Sequence, residues 1–181
     1  MVDMVENCVP HEVERRVRSD DSLSGSRHGG DAQSAAHDSE IRQWIYRQFA
    51  STGRAPSPVE IAREFVLTPY QVEQALYRLQ READALVLIP GSPYIWMAEP
   101  FSAVPTSFLV RSGEIQWWGN CIWDALGILA LLGVDGEIST ACPNSGQALR
   151  VTVAGNALVE SAGVVHFAVP ARDWWRDIGF T

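Results

Sequence analysis

Apolar residues recur at helical spacing through the first half of the chain. Ile41, Trp44, Ile45 and Phe49 share one face of a predicted helix over 40–50. Gly53, Pro56 and Pro58 break it. Ser57, with Glu60 three residues on, is a capping box for a second helix carrying Val59, Ile61, Ala62 and Phe65. Thr68 caps a third, with Pro69 first and Gln71 third, running through Val72, Ala75, Leu76 and Leu79 to about residue 83. The pattern then changes to two short apolar runs, 86–89 and 94–97, around a Pro90-Gly-Ser-Pro93 turn. Three helices and a hairpin predict a winged-helix-like segment over 39–98.

The second half reads differently. Residues 101–110 are extended and punctuated by proline, and 114–119 form an indole-rich strand end. Residues 121–132 are an apolar helix closed by Gly133. Strands are predicted at 137–141, 148–153 and 164–169, with turns at 143–146 and 154–156 and a short helix or turn at 173–177. The expected class is α+β, with the winged-helix-like segment packed on a small mixed α/β domain over 99–181. Residues 1–38, with Ser, Gly and Asp in place of apolar residues over 19–31, read as a disordered leader whose histidines are solvated.

Composition narrows the chemistry. The 181 residues carry a formal net charge of −8, and all fourteen basic residues are Arg. A lysine Schiff base, a P-loop lysine and a lysine general base are thereby excluded. Of His11, His28, His37 and His166, only the last lies beyond the expected leader. A two-histidine metal site in the body is excluded, and His166 reads as a core histidine in a strand. The third helix would be the recognition helix of a DNA-binding winged helix. Its outward residues Tyr70, Gln71, Glu73, Gln74, Arg78 and Arg81 make a poor phosphate-binding face beside Glu82 and Asp84, so no nucleic-acid partner is expected. There is no apolar run of about 18 residues and no signal-peptide pattern, so no membrane partner and a cytoplasmic location are expected. Cys8, Cys121 and Cys142, without a C-x-x-C, form neither a disulfide framework nor a zinc ribbon.

The candidate chemistry lies in Trp117-Trp-Gly-Asn-Cys-Ile-Trp-Asp-Ala-Leu-Gly-Ile128. With Asn120 as N-cap, Cys121 falls in the first helical turn, where backbone N–H groups and the helix dipole favour a thiolate. Asp124, three residues on, shares its face. A thiol beside a carboxyl can bind a soft centre and deliver a proton. The same pair also fits a small buried hydrophobe beside an ordinary first-turn acid. Trp117, Trp118 and Trp123 are candidates for an apolar substrate pocket, or for core packing.

Read together, Pro100-Phe-Ser-Ala-Val-Pro-Thr106, Trp118-Gly-Asn-Cys-Ile-Trp-Asp124, Cys142-Pro-Asn-Ser-Gly146, Val165-His-Phe-Ala-Val-Pro170 and Asp173-Trp-Trp-Arg-Asp-Ile178 resemble the alkylmercury lyase (organomercurial lyase) family. The resemblance spans about 41–181, and the family's N-terminal part is also winged-helix-like, used as a scaffold. It implies protonolysis of a carbon–mercury bond, giving a hydrocarbon and Hg(II), with no cofactor. The implied partners are a small organomercurial and the cellular thiols that remove the metal. Cys121 matches the mercury-binding cysteine, Asp124 the proton donor, and Cys142 a cysteine with a structural role. The family's second catalytic cysteine belongs just past the position where this sequence stops, at Thr181. The resemblance therefore implies impaired turnover for these residues, or a UGA codon there read as selenocysteine. Two other expectations are an inactive organomercurial or Hg(II) binder, and a winged-helix transcription regulator with Cys121 as sensor.

Overall fold

In the computed structural model, which describes residues 28–82, 86–160, 164–167 and 169–176, three helices precede one antiparallel sheet crossed by a fourth helix. The class is α+β, as expected. Helix α1 spans His28–Thr52, α2 Pro58–Phe65 and α3 Pro69–Glu82. The two local signals read from the sequence close as hydrogen bonds. Glu60 N–H donates to Ser57 Oγ at 3.2 Å, and the Glu60 carboxylate accepts from Ser57 N–H at 2.7 Å. At α3, Thr68 N–H donates to Gln71 Oε1 at 2.9 Å while Gln71 N–H donates to Thr68 Oγ1 at 3.3 Å. Each box satisfies backbone donors that a helix start leaves without partners.

Helix α1 begins well ahead of residue 39, so the expected leader is corrected over 28–38; residues 1–27, with Cys8 and His11, lie outside the described residues. The reason is tertiary. Asp38 is buried and accepts from Arg78 Nε at 2.6 Å and Nη2 at 2.8 Å, tying α1 to α3. The His37 ring sits edge-on to Phe65 of α2 at 5.6 Å. A composition argument cannot see partners that lie 28 and 40 residues away. Arg78, one of the two arginines a DNA-binding reading of α3 would use, is thus engaged with a carboxylate inside the molecule.

The sheet has the order β1-β2-β3-β5-β4-β6-β7-β8, every neighbouring pair antiparallel. Its strands are β1 Leu86–Leu88, β2 Ile95–Ala98, β3 Phe101–Ser102, β4 Phe108–Ser112, β5 Ile115–Gly119, β6 Gly136–Ala141, β7 Ala148–Ala154 and β8 Ala157–Glu160. The expected wing, β1–β2, is continued by β3 in the same sheet. Ala98 pairs with Phe101, and Phe101 with Gly119, so hydrogen bonding runs unbroken across residues 98 and 99. The core runs across them too, joining Ile41, Ile45 and Phe49 of α1 to Phe101, Trp117 and Ile128. Phe49 stacks on Phe101 at 5.3 Å between ring centroids, and Trp117 Nε1 donates to the Phe49 carbonyl at 2.8 Å. Trp117 therefore brings its hydrogen-bond partner with it into the core.

Two expectations for the C-terminal part are corrected. Residues 157–160, not predicted as a strand, pair with β7 through a turn in which Gly155 and Asn156 both take positive φ, 58° and 61°. Those dihedrals suit a two-residue hairpin. Residues 164–167 are not a strand, and His166 is exposed instead of sitting in a core. With β8 already pairing β7, the apolar run 164–167 extends no ladder. The short helix or turn expected at 173–177 is a 3-10 helix, Ala171–Arg176.

Candidate active site

Helix α4, Ile122–Leu132, packs across β3, β4, β5 and β6. Its placement depends on Gly119, the last residue of β5. A Cβ there would lie 2.7 Å from Ala125 N and 2.9 Å from Ala125 Cα, inside the backbone of the α4 first turn. Only glycine lets strand and helix approach so closely. Thr106 Oγ1 holds the Gly119 carbonyl at 2.6 Å. The chain then passes through Asn120 to Cys121.

The N-cap is Cys121 itself, not Asn120, with extended φ −142° and ψ −178°. Its Sγ accepts from Asp124 N–H at 3.5 Å and also from the Trp123 N–H. The Asn120 side chain and the Cys121 thiol and backbone N–H lie near the Asp124 carboxyl and favour its charged form. Cysteine stands at the N-cap and aspartate at N3, the places that serine and glutamate hold in a capping box. The C-x-x-D spacing is thus the N-cap-to-N3 spacing, which is why the two groups meet. Asn120 becomes a partner of the acid instead of the cap.

The electrostatics differ from the expectation of a thiolate. The two N–H groups favour the anion, but burial outweighs them, and the Asp124 charge opposes it further; the thiol is pushed up to about 11. Asp124 is buried, at 8% exposure. Burial raises its pKa above the ordinary aspartate value, against the pull of its hydrogen bonds. The pair as it stands is a protonated thiol beside a carboxyl group whose pKa lies above the ordinary aspartate value.

Beside Asp124 lies a surface cleft of about 400 Å³. One wall is α4, where Trp123, Gly127 and Leu131 line up at four-residue intervals; the other is Tyr46 of α1, with Glu99 and Pro100 from the β2–β3 turn. Trp123 and Leu131 are 64% and 61% exposed. Burial raises the Glu99 pKa, and the nearby Asp124 adds to it; burial and Glu99 likewise raise that of Tyr46.

Of the three candidate pocket tryptophans, only Trp123 lines this cleft. Trp117 is 3% exposed in the core, a correction to its place as a pocket residue, and Trp118, half-buried on the other side of β5, does not line the cleft either. Cys142 sits at the tight β6–β7 turn, closed by Gly146 N–H to the Cys142 carbonyl at 2.8 Å and Cys142 N–H to the Gln147 carbonyl at 2.9 Å. The Ser145 hydroxyl, with the Ser145 and Asn144 N–H groups, holds its thiol below the usual range. Tyr46, Glu99 and Gly127 were missed as site residues. Gly127 and Leu131 could have been found by continuing the helical period from Trp123, but nothing in the spacing of Tyr46 points to α4.

Comparison with known proteins bears on the same segment. Residues 101–181 match the family model described as alkylmercury lyase. No curated protein matches the chain. Among solved structures, the crystal structure of the mercury-bound form of MerB2 is similar at 17% sequence identity and a TM-score of 0.48, over 68% of this chain and 67% of that one. The matched segment carries Cys121, Asp124 and all of α4, while Tyr46, Glu99 and Pro100 come from outside it. What the family model shows is that residues 101–181 are similar to the alkylmercury lyase family.

Proposed function

We propose that the chain carries out protonolysis of carbon–mercury bonds, with Cys121 taking the metal and Asp124 supplying the proton. The observation that carries this reading is the contact of Cys121 Sγ with the Asp124 N–H, with Asp124 itself lining a largely apolar cleft. Hg(II) is soft and prefers sulfur. An organomercurial R–Hg–X would exchange X for the Cys121 sulfur, and the thiol proton would leave with X. Sulfur ligation weakens the bond from mercury to carbon. The Asp124 carboxyl would then give its proton to that carbon as the carbon–mercury electron pair moves onto it. The products are R–H, an Asp124 carboxylate and Hg(II) on sulfur, which thiols in solution would remove.

The raised pKa of Asp124 suits the donor role, because an ordinary surface aspartate is almost wholly ionised at neutral pH. The high pKa of Cys121 does not oppose capture. Mercury displaces the thiol proton, and the more basic sulfur is the stronger donor to the metal. The reading is tested by incubating the full chain with phenylmercury acetate and excess thiol and measuring benzene in the headspace. Release that disappears in Cys121→Ala and in Asp124→Ala is the expected result. Stoichiometric mercury uptake without benzene would refute catalysis and leave a binding protein.

A further inference from the structure

The cleft beside Asp124 has a shape and charge that specify what can sit in it. A proton donor must touch the carbon it protonates, and Asp124 is both the proposed donor and part of the cleft lining. The organic group attached to that carbon has to extend away from Asp124, and the cleft is the space that adjoins it. From Asp124 the path runs along Trp123, Gly127 and Leu131 on one side and Tyr46 and Pro100 on the other. These surfaces are apolar or aromatic, and Trp123 is exposed enough to stack on a ring. The volume of about 400 Å³ accepts an aryl group as readily as a methyl. Glu99 is the exception, an exposed carboxyl on the wall close enough to Asp124 for the two charges to interact. A second anion brought into that space would meet the like charge of Glu99.

We infer that this cleft is the specificity site for the organic group: it takes uncharged alkyl and aryl mercurials, Gly127 sets the room available, and Glu99 turns away anionic groups. The inference rests on the proposed protonolysis for the orientation of the substrate, but not for the presence of the cleft. Gly127 is well suited to a test. A Cβ there would meet Pro100 Cβ at 3.7 Å and Cγ at 4.0 Å, ordinary contact, so an added side chain points across the cleft without a clash in the fold. Its helix gains, since glycine is the poorer helix former.

The experiment uses the full chain with methylmercury chloride, phenylmercury acetate and 4-(hydroxymercuri)benzoate. Two readouts are taken: mercuration of Cys121 by intact mass, and release of methane, benzene or benzoic acid. In Gly127→Val, the ratio of phenyl to methyl rates falls at least tenfold, with Gly127→Ala between it and the parent. In Glu99→Gln, the ratio of the carboxylated to the plain phenyl substrate rises at least tenfold. A substitution that only disturbs the fold would lower all three substrates together and leave the ratios fixed. Unchanged ratios in both variants overturn the inference. If no substrate yields hydrocarbon but mercuration follows the same size and charge order, the cleft assignment stands and the protonolysis reading falls.

Discussion

Replacing Gly119 by alanine tests how the fold holds the candidate site together. The backbone at 119 is not in the left-handed region, so alanine adopts it without strain, and the whole effect is steric. The new Cβ would sit 2.7 Å from Ala125 N, where ordinary contact begins at 3.4 Å. The opposing atoms are helix backbone, so no flexible side chain can yield; the first turn of α4 must retreat from β5 by about 0.7 Å. Overpacking of this kind costs roughly 1–3 kcal/mol. The loss of glycine's freedom in the unfolded chain offsets ~0.4–1 kcal/mol of it. A net ~1–2 kcal/mol corresponds to a Tm about 2–8 °C lower for a chain of this size. The effect on turnover is expected to be larger, because the same movement carries Cys121 and Asp124 away from the cleft wall contributed by Glu99 and Pro100. Displacements near 1 Å in a positioned site cost on the order of 100-fold. Thermal unfolding followed by circular dichroism gives the first number and benzene release the second. A variant with unchanged Tm and unchanged release would refute the account of Gly119 as the residue that seats α4.

Further expectations follow from other contacts. Trp117→Phe keeps an aromatic ring but removes the pyrrole part of the indole with its Nε1–H donor, leaving a small cavity and a Phe49 carbonyl that retains only its bond from Gly53 N–H at 2.9 Å. A loss of about 1–3 kcal/mol in urea unfolding is expected, and a variant as stable as the parent would exclude that bond as a tie between α1 and the sheet. Arg78→Ala leaves the Asp38 carboxylate buried without its bidentate partner. Breaking a buried pair costs ~3–5 kcal/mol, and because Arg78 is one-third exposed the lower end is expected; the added Arg78→Met variant should fall between if lost packing contributes. The pH dependence separates the two proposed chemical steps. Cleavage of a preformed Cys121–mercury–phenyl adduct needs the acid form of Asp124, so it declines as pH rises through a pKa raised above 3.8, whereas capture by Cys121 speeds up towards pH 11. Single-turnover cleavage that accelerates with pH would exclude Asp124 as the proton donor.

What the sequence made legible was whatever is encoded within a few residues. The Ser57 and Thr68 boxes and the apolar period of α1 to α3 are local and form as read, while the C-x-x-D spacing, local too, brings its two residues together with Cys121 and not Asn120 as the cap. The start of α1 was not legible, because it depends on Arg78 and Phe65 meeting residues 37 and 38 across the fold. The fate of the tryptophans was not legible either. Adjacent residues on a strand face opposite ways, so Trp117 and Trp118 cannot share a wall, but which of them turns inward is settled only by α1 offering the Phe49 carbonyl. The site was half legible for the same reason. Cys121 and Asp124 are one helical turn apart in the chain, while Tyr46 and Glu99 reach the cleft from α1 and the β2–β3 turn.

The protonation of Cys121 shows why placing a residue is not the same as knowing its chemistry. A thiol at a helix N-terminus is expected to ionise readily, and the donors that would do this are present, from Trp123 and Asp124. Yet the same turn that aims those N–H groups at sulfur also presses it against α4 and sets a carboxyl beside it. Desolvation and a like charge oppose the thiolate, and together they win. For a nucleophile that attacks carbon this would be a handicap. For a soft-metal ligand it works in the other direction. A protonated thiol is a poor target for oxidation or alkylation, while mercury can still displace its proton. Burial acts on Asp124 in the same sense, raising its pKa above the ordinary aspartate value. One desolvated helix start thus raises both pKa values, and on the proposed reading that suits a sulfur kept for soft metals beside the acid that protonates what the metal carries.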